Sequence, residues 1–308
     1  MSGVVGPADM DMDMDMDMDM AATGGAGAGG SSQYLRPIGV SPAVKRQEAL
    51  DENWWRGNKW PPTDQPEAWQ NAPLTKESKN PFPGKPWGAK WYSIAVLGEF
   101  VKQPGWDGFG PQLKPILDNA DVEKELAELA ALIEYRPAVM NEILAQLDNF
   151  IVYFRGVLSF TPSSHPWTNG LTTIALKVGE FQVMYYKARF NRPRPSVLSP
   201  RLMPAIDVPG HASYPSGHST QSHLVALCLA EVMPKAASEG IDPNTGRPDP
   251  AHGPLQRLAE RVARNREVLG VHYPSDSEGG KQLAISTFRL LMQCPTVQAI
   301  VKNAKAEW

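Results

Sequence analysis

The chain has 308 residues, enough to bury a substantial core, and a formal net charge of −3. That balance gives no overall basic field for nucleic acid, so any anion-binding surface must be local. The two cysteines, Cys228 and Cys294, lie in apolar, helix-like stretches, form no metal-ligand pattern, and are expected as buried free thiols.

Residues 1–33 open with alternating Asp and Met from Asp9 to Met20 and continue as a Gly/Ala/Ser run. They have too little apolar surface to offset the entropy of ordering, so a disordered low-complexity tail is expected rather than a soft-metal site. The N-terminus lacks the basic and apolar regions of a secretory leader. No run reaches the roughly eighteen apolar residues that span a bilayer, so a cytoplasmic chain without a membrane-spanning segment is expected. Residues 34–99 are rich in Pro and Trp, and Trp54, Trp55, Trp60, Trp69, Trp87 and Trp91 read as anchors pinning an irregular arm onto a helical body.

Helical periodicity begins after Trp91. Leu126, Leu129, Ala130 and Ile133 recur at three- and four-residue steps between Asp121 and Tyr135, and a second helix runs from Pro137 to about Leu158. A third covers about Thr168 to Arg189, a fourth opens at Ser216, and a fifth spans about Pro254 to Val268. The sixth starts at Ser275, with Glu278 completing a capping box, and ends before Pro295. Strand-like alternation is nearly absent. The expected fold is all-α, a helical bundle with long ordered loops over residues 100–308.

Three short segments in this body carry chemistry. Lys187 and the Pro-locked Arg192-Pro193-Arg194-Pro195 offer cations on stiff backbone. Pro215-Ser216-Gly217-His218 opens a helix whose first N–H groups can hold an anion, with Ser216 as cap and donor, Gly217 allowing close approach, and His218 beside it. Arg266, His272 and Asp276 complete the set. Asp276 is suited to accept the Nδ1 hydrogen of His272, leaving Nε2 to attack phosphorus or ligate a metal oxyanion.

The order Lys-x6-Arg-Pro, Pro-Ser-Gly-His, Arg-x5-His-x3-Asp resembles the signature of the type-2 phosphatidic acid phosphatase and vanadium haloperoxidase superfamily, whose fold is a helical bundle. The resemblance implies an enzyme in which His272 is the phosphorylated nucleophile, or the axial vanadate ligand in a haloperoxidase. His218 is then the acid–base group and Asp276 orients His272. Lys187, Arg194, Ser216, Gly217 and Arg266 hold the equatorial oxygens. Asn265 stands where the family usually has Ser, which puts that supporting contact in question, and Arg192 offers a second Arg-Pro pair able to share the role of Arg194.

The short loop from Pro195 to Tyr214 and the run Gly270-Val271-His272-Tyr273-Pro274-Ser275-Asp276 are similar to soluble bacterial acid phosphatases. They favour a phosphoric monoester hydrolase acting on a small-molecule ester with no cofactor. His211, seven residues before His218, resembles a histidine of the vanadium bromoperoxidases. It keeps open a haloperoxidase using vanadate, peroxide and halide. A non-catalytic phosphate-binding protein is the third reading, disfavoured because binding alone needs no pair of histidines.

Overall fold

A computed structural model of the protein describes residues 88–308. The tail over 1–33 and the arm over 34–87, including Trp54, Trp55, Trp60, Trp69 and Trp87, lie outside the described residues. Helix α1 (Ala89–Phe100) crosses residue 99 and buries Ser93, Val96 and Phe100. Trp91 lies off that stripe and is 63% exposed, so it is a surface residue of α1 and not an anchor.

Helix α2 (Gly110–Asp118) starts where the Phe109 N–H donates to the Tyr186 hydroxyl at 2.7 Å. Helix α3 (Val122–Ala131) is capped by Asp121, which accepts from Lys124 N, and tightens into a 3₁₀ turn over Leu132–Tyr135. The helix expected from Pro137 to Leu158 is two helices, α4 (Arg136–Asn149) and α5 (Ile151–Arg155). The Asn149 side chain takes the Ile151 N–H at 3.0 Å, a local bond that competes with the helical ladder. Arg136, buried at the head of α4, donates to the carbonyls of Leu202, Met203, Val268 and Leu269 and ties three segments together.

Helix α6 (Pro166–Phe190) is capped from the far end of the chain. The Glu307 carboxylate accepts from Trp167 N, Thr168 N and the Thr168 hydroxyl. Helix α6 ends at Asn191 in the left-handed region, and a one-turn α7 (Pro195–Leu198) follows. Helix α8 (Gly217–Val232) is the central element. It packs on α6 and on helices α10 (Pro254–Val268) and α11 (Pro274–Leu291), and its buried residues fall on nearly every side. A short α9 (Lys235–Ser238), an antiparallel pair Gly240–Ile241 and Pro248–Asp249, and α12 (Pro295–Lys305) complete the described residues.

The fold is all-α. Phe100, Phe154, Leu171, Ile174, Leu224, Leu229, Leu255 and Ile300 belong to its largest buried cluster. Cys228 and Cys294 are buried and unbridged. Among the described residues, no helix is long and apolar enough to cross a membrane. Helix α11 starts one residue earlier than expected, and the acid of its capping box is Asp276, not Glu278, because Pro274 takes the first helical position.

Candidate active site

The N-terminal ends of α8 and α11 meet where Ser216 N–H donates to the Asp276 carbonyl at 2.9 Å. Two glycines permit the approach. A Cβ on Gly279 would lie 2.6 Å from Tyr214 Cζ and Oη, and one on Gly280 would lie 2.8 Å from the Ser216 carbonyl oxygen. Ser216 caps α8 by accepting from Ser219 N, and Ser219 Oγ donates to the Ser277 carbonyl at 2.7 Å. At Gly217 a Cβ would meet only Val183, at 3.8 Å, so packing alone does not demand glycine there.

Cations enter this junction from α6 and the loop behind it. Lys187, buried near the end of α6, donates Nζ to the carbonyls of Ala212 and Ser213. Arg194 donates Nε to the His211 carbonyl at 3.0 Å and Nη1 to the Val271 carbonyl at 2.9 Å. Its Nη1 also stands 3.0 Å from His272 Nε2, and its Nη2 is 3.1 Å from His211 Nδ1. Carbonyl dipoles hold both cations at fixed points beside the junction.

The Arg194 contact favours one tautomer of His272. A guanidinium only donates, so Nε2 must be the acceptor and carry the lone pair. The ring proton is then on Nδ1, which faces Asp276 Oδ2 at 3.1 Å. Asp276 is fully buried, and its Oδ2 also accepts from Tyr273 N at 3.0 Å. Burial pushes the Asp276 carboxyl above the usual carboxylate range, while Arg192, the Tyr273 N–H and the charge on Lys187 pull the other way.

Arg192 does not join Arg194. Its Nη1 donates to Asp276 Oδ1 and to Ser275 Oγ, both at 2.7 Å, and its Nη2 to Glu125 Oε2 at 2.9 Å. The reason is local. Arg194 has φ −68° and ψ 152°, the polyproline conformation that the following Pro195 favours. With three residues per turn, side chains two apart diverge instead of sharing a face.

His218 occupies the first turn of α8, buried, with its ring 6.0 Å from that of Phe150. Arg266, at the end of α10, is buried and donates Nη2 to the Ile143 carbonyl at 3.0 Å. Gly270, with φ +79°, turns the chain after α10, and Val271 N–H returns to the Arg266 carbonyl. Asn265 points elsewhere: its amide donates to Gln146 and Glu142 on α4. Glu125 is the participant that the sequence concealed. It is a polar position on amphipathic α3, joined to Arg192 and Ser275 across most of the domain.

Residues 166–299 match the PAP2 superfamily. The non-specific acid phosphatase of Salmonella typhimurium (strain LT2) is 26% identical over 151 residues, covering 47% of this chain and 54% of the relative. The non-specific acid phosphatase of Salmonella typhi is 28% identical over 95 residues, 31% of this chain and 32% of the relative. The chain thus spans about half the length of the first of these relatives and about a third of the second. The matched stretch, residues 166–299, holds Lys187, Arg192, Arg194, Arg266, His218 and His272, and it is this part of the chain that is similar to the PAP2 superfamily.

Proposed function

We propose that the protein hydrolyses small phosphate monoesters through a phosphohistidine at His272, without a cofactor. One observation carries the reading: the Nε2 lone pair of His272 faces Arg194 Nη1 at 3.0 Å while Nδ1 faces buried Asp276. A neutral imidazole is thus held with its nucleophilic nitrogen among anion-binding groups. The match to acid phosphatases adds to it.

In this reading Lys187, Arg194, Arg266, the Ser216 hydroxyl and the Gly217 N–H bind the three non-bridging oxygens. Binding of the phosphoryl group breaks the 3.0 Å contact between Arg194 Nη1 and His272 Nε2, turning that guanidinium onto a phosphoryl oxygen and exposing Nε2 to phosphorus. The Nε2 lone pair forms the P–N bond as the P–O ester bond breaks, and the developing charge on Nδ1–H is stabilised by Asp276. His218 gives its proton to the leaving oxygen. It then takes a proton from the water that attacks phosphorus and breaks the P–N bond.

The test is hydrolysis of p-nitrophenyl phosphate by wild type and His272→Ala, with quenching during turnover. The wild type should yield an acid-labile, base-stable phosphoenzyme, and the variant should lose at least about three orders of magnitude in rate, about 4 kcal/mol of barrier. Full activity in His272→Ala refutes the nucleophile assignment. Phosphate binding without turnover by wild type returns the binding-protein reading.

The position of His211 against Arg194 favours a second reading, a vanadium-dependent haloperoxidase. The same basic pocket and the His272 lone pair fit vanadate, which when bound supplies Lewis-acid activation of peroxide. Lys187, Arg194, Arg266 and His272 would hold it. Bromination of a dye by vanadate-loaded wild type, with peroxide and bromide and with negligible ester hydrolysis, would replace the first reading with this one.

A further inference from the structure

The hydrogen bonds behind Asp276 do not end at Arg192. Glu125 Oε2 accepts from Arg192 Nη2 at 2.9 Å and from Ser275 Oγ at 2.9 Å, while Oε1 accepts from Ser275 N at 2.6 Å. Arg192 Nη1 reaches both Ser275 Oγ and Asp276 Oδ1, and its guanidinium lies over the Tyr273 ring with the carbon 3.7 Å from the centroid. Glu125, Arg192 and Asp276 are all buried. The turn that carries His272, from Tyr273 to Asp276, is therefore gripped at its ring, backbone N–H, hydroxyl and carboxylate by two side chains from α3 and the loop after α6.

We propose that Glu125 is a positioning residue for His272, acting through Arg192 and Asp276; the inference rests on the reading of His272 as nucleophile. Two physical effects support it. Asp276 can rotate about its terminal torsion, and Arg192 on Oδ1 leaves Oδ2 aimed at His272 Nδ1. A carboxylate buried this deeply stays ionised only beside a cation, and a lone Arg192 would draw electron density away from the Asp276–His272 pair. Glu125 offsets that charge from the opposite side of the guanidinium. It also holds Arg192 over the face of the Tyr273 ring. A buried ion-pair triad of this kind is weak evidence for added stability, since desolvation offsets much of the attraction. A role in holding the nucleophile accounts for its position directly behind the histidine.

The experiment compares wild type with Glu125→Gln, Arg192→Gln and the double variant, by steady-state kinetics and by ¹⁵N spectra of histidine-labelled resting protein. Glu125→Gln keeps the side-chain shape, so it tests the inference even where Arg192→Gln does not fold. Expected for Glu125→Gln is a fall in kcat of about tenfold with KM within twofold, because Glu125 touches none of the anion-holding groups. Arg192→Gln should fall about a hundredfold, and the double variant no more than about twofold further, since Glu125 works through Arg192. His272 should show a single Nδ1-protonated tautomer in wild type and a tautomer mixture in Glu125→Gln. A folded Glu125→Gln protein with wild-type kcat and an unchanged His272 spectrum overturns the inference. So does a kcat loss that only tracks the unfolded fraction. Absence of ester hydrolysis by wild type defeats the phosphatase reading alone, and the resting-state spectra still decide whether Glu125 holds His272.

Discussion

His223 makes the domain acid-sensitive by a calculable amount. It lies five residues after His218 on α8, with its ring in the interior and Nδ1 2.7 Å from the Ser219 carbonyl oxygen. Burial pushes its pKa down from 6.5 to about 4; Lys281 adds to the effect, and the Ser219 carbonyl, Glu260 and Glu278 oppose it. The unfolded chain takes up this proton near pH 6.5, whereas the native protein resists until about 4. Between those values the unfolded state binds more protons, so native stability rises with pH. The contribution is fully present above pH 6.5 and is lost as pH falls towards and through about 4. At about 1.4 kcal/mol per pH unit, the interval amounts to roughly 3 kcal/mol, and about 2 kcal/mol is already lost at pH 5. That is a large part of an ordinary domain's stability.

Urea unfolding of wild type and His223→Asn at pH 7 and pH 5 measures this directly. Asparagine can still donate to the Ser219 carbonyl but has no proton to gain over that range. On lowering the pH, wild type should lose about 2 kcal/mol more than the variant, although the smaller side chain makes the variant the less stable protein at pH 7. Equal losses, to within about 0.5 kcal/mol, would refute the argument.

Gly279→Ala should destabilise the domain by at least about 1–3 kcal/mol in the same assay, because the Tyr214 ring it would strike is buried and tethered through its hydroxyl to the Leu113 carbonyl. A variant as stable as wild type would mean the junction of α8 and α11 is not closely packed. His218→Ala should slow alkyl phosphates by roughly two to four orders of magnitude and p-nitrophenyl phosphate far less, since an acidic leaving group needs no proton. Equal losses on both esters would remove His218 from that role.

Much of this architecture was legible because helices and their caps are local. The apolar steps of 121–135, 254–268 and 275–294 correspond to α3 with its 3₁₀ turn, α10 and α11; α10 has the expected bounds, and the other two differ by one to a few residues at an end. Ser216 capped the helix it was expected to open. That Lys187, Arg194, His218, His272 and Asp276 would come from three short segments was legible for the same reason, since each is a short run with its own backbone chemistry. What escaped depended on partners remote in sequence or on competition at one atom. Glu307 caps α6 from 139 residues away. Glu125 looks like any polar face of an amphipathic helix until Arg192 and Ser275 are beside it. The break at Phe150 turns on a single Asn149 bond, and Asp276 rather than Glu278 completes the cap because Pro274 sets the start.

The pair Arg192 and Arg194 shows how little sequence separates two different tasks. Both are buried, both flank Pro193, and either fits an Arg-Pro reading. Arg194, before Pro195, has polyproline backbone angles, and one guanidinium reaches Asp276 Oδ1 while the other reaches His272 Nε2. One arginine therefore acts on the imidazole through the carboxylate behind Nδ1, and the other meets the nitrogen that carries the lone pair. A single residue inserted between them would rotate one out of its place, so the spacing of the pair is as much a part of the site as its charge. The consequence is asymmetric: loss of Arg194 removes the contact to His272 Nε2, while loss of Arg192 frees Asp276, Ser275 and Glu125 from the guanidinium they share.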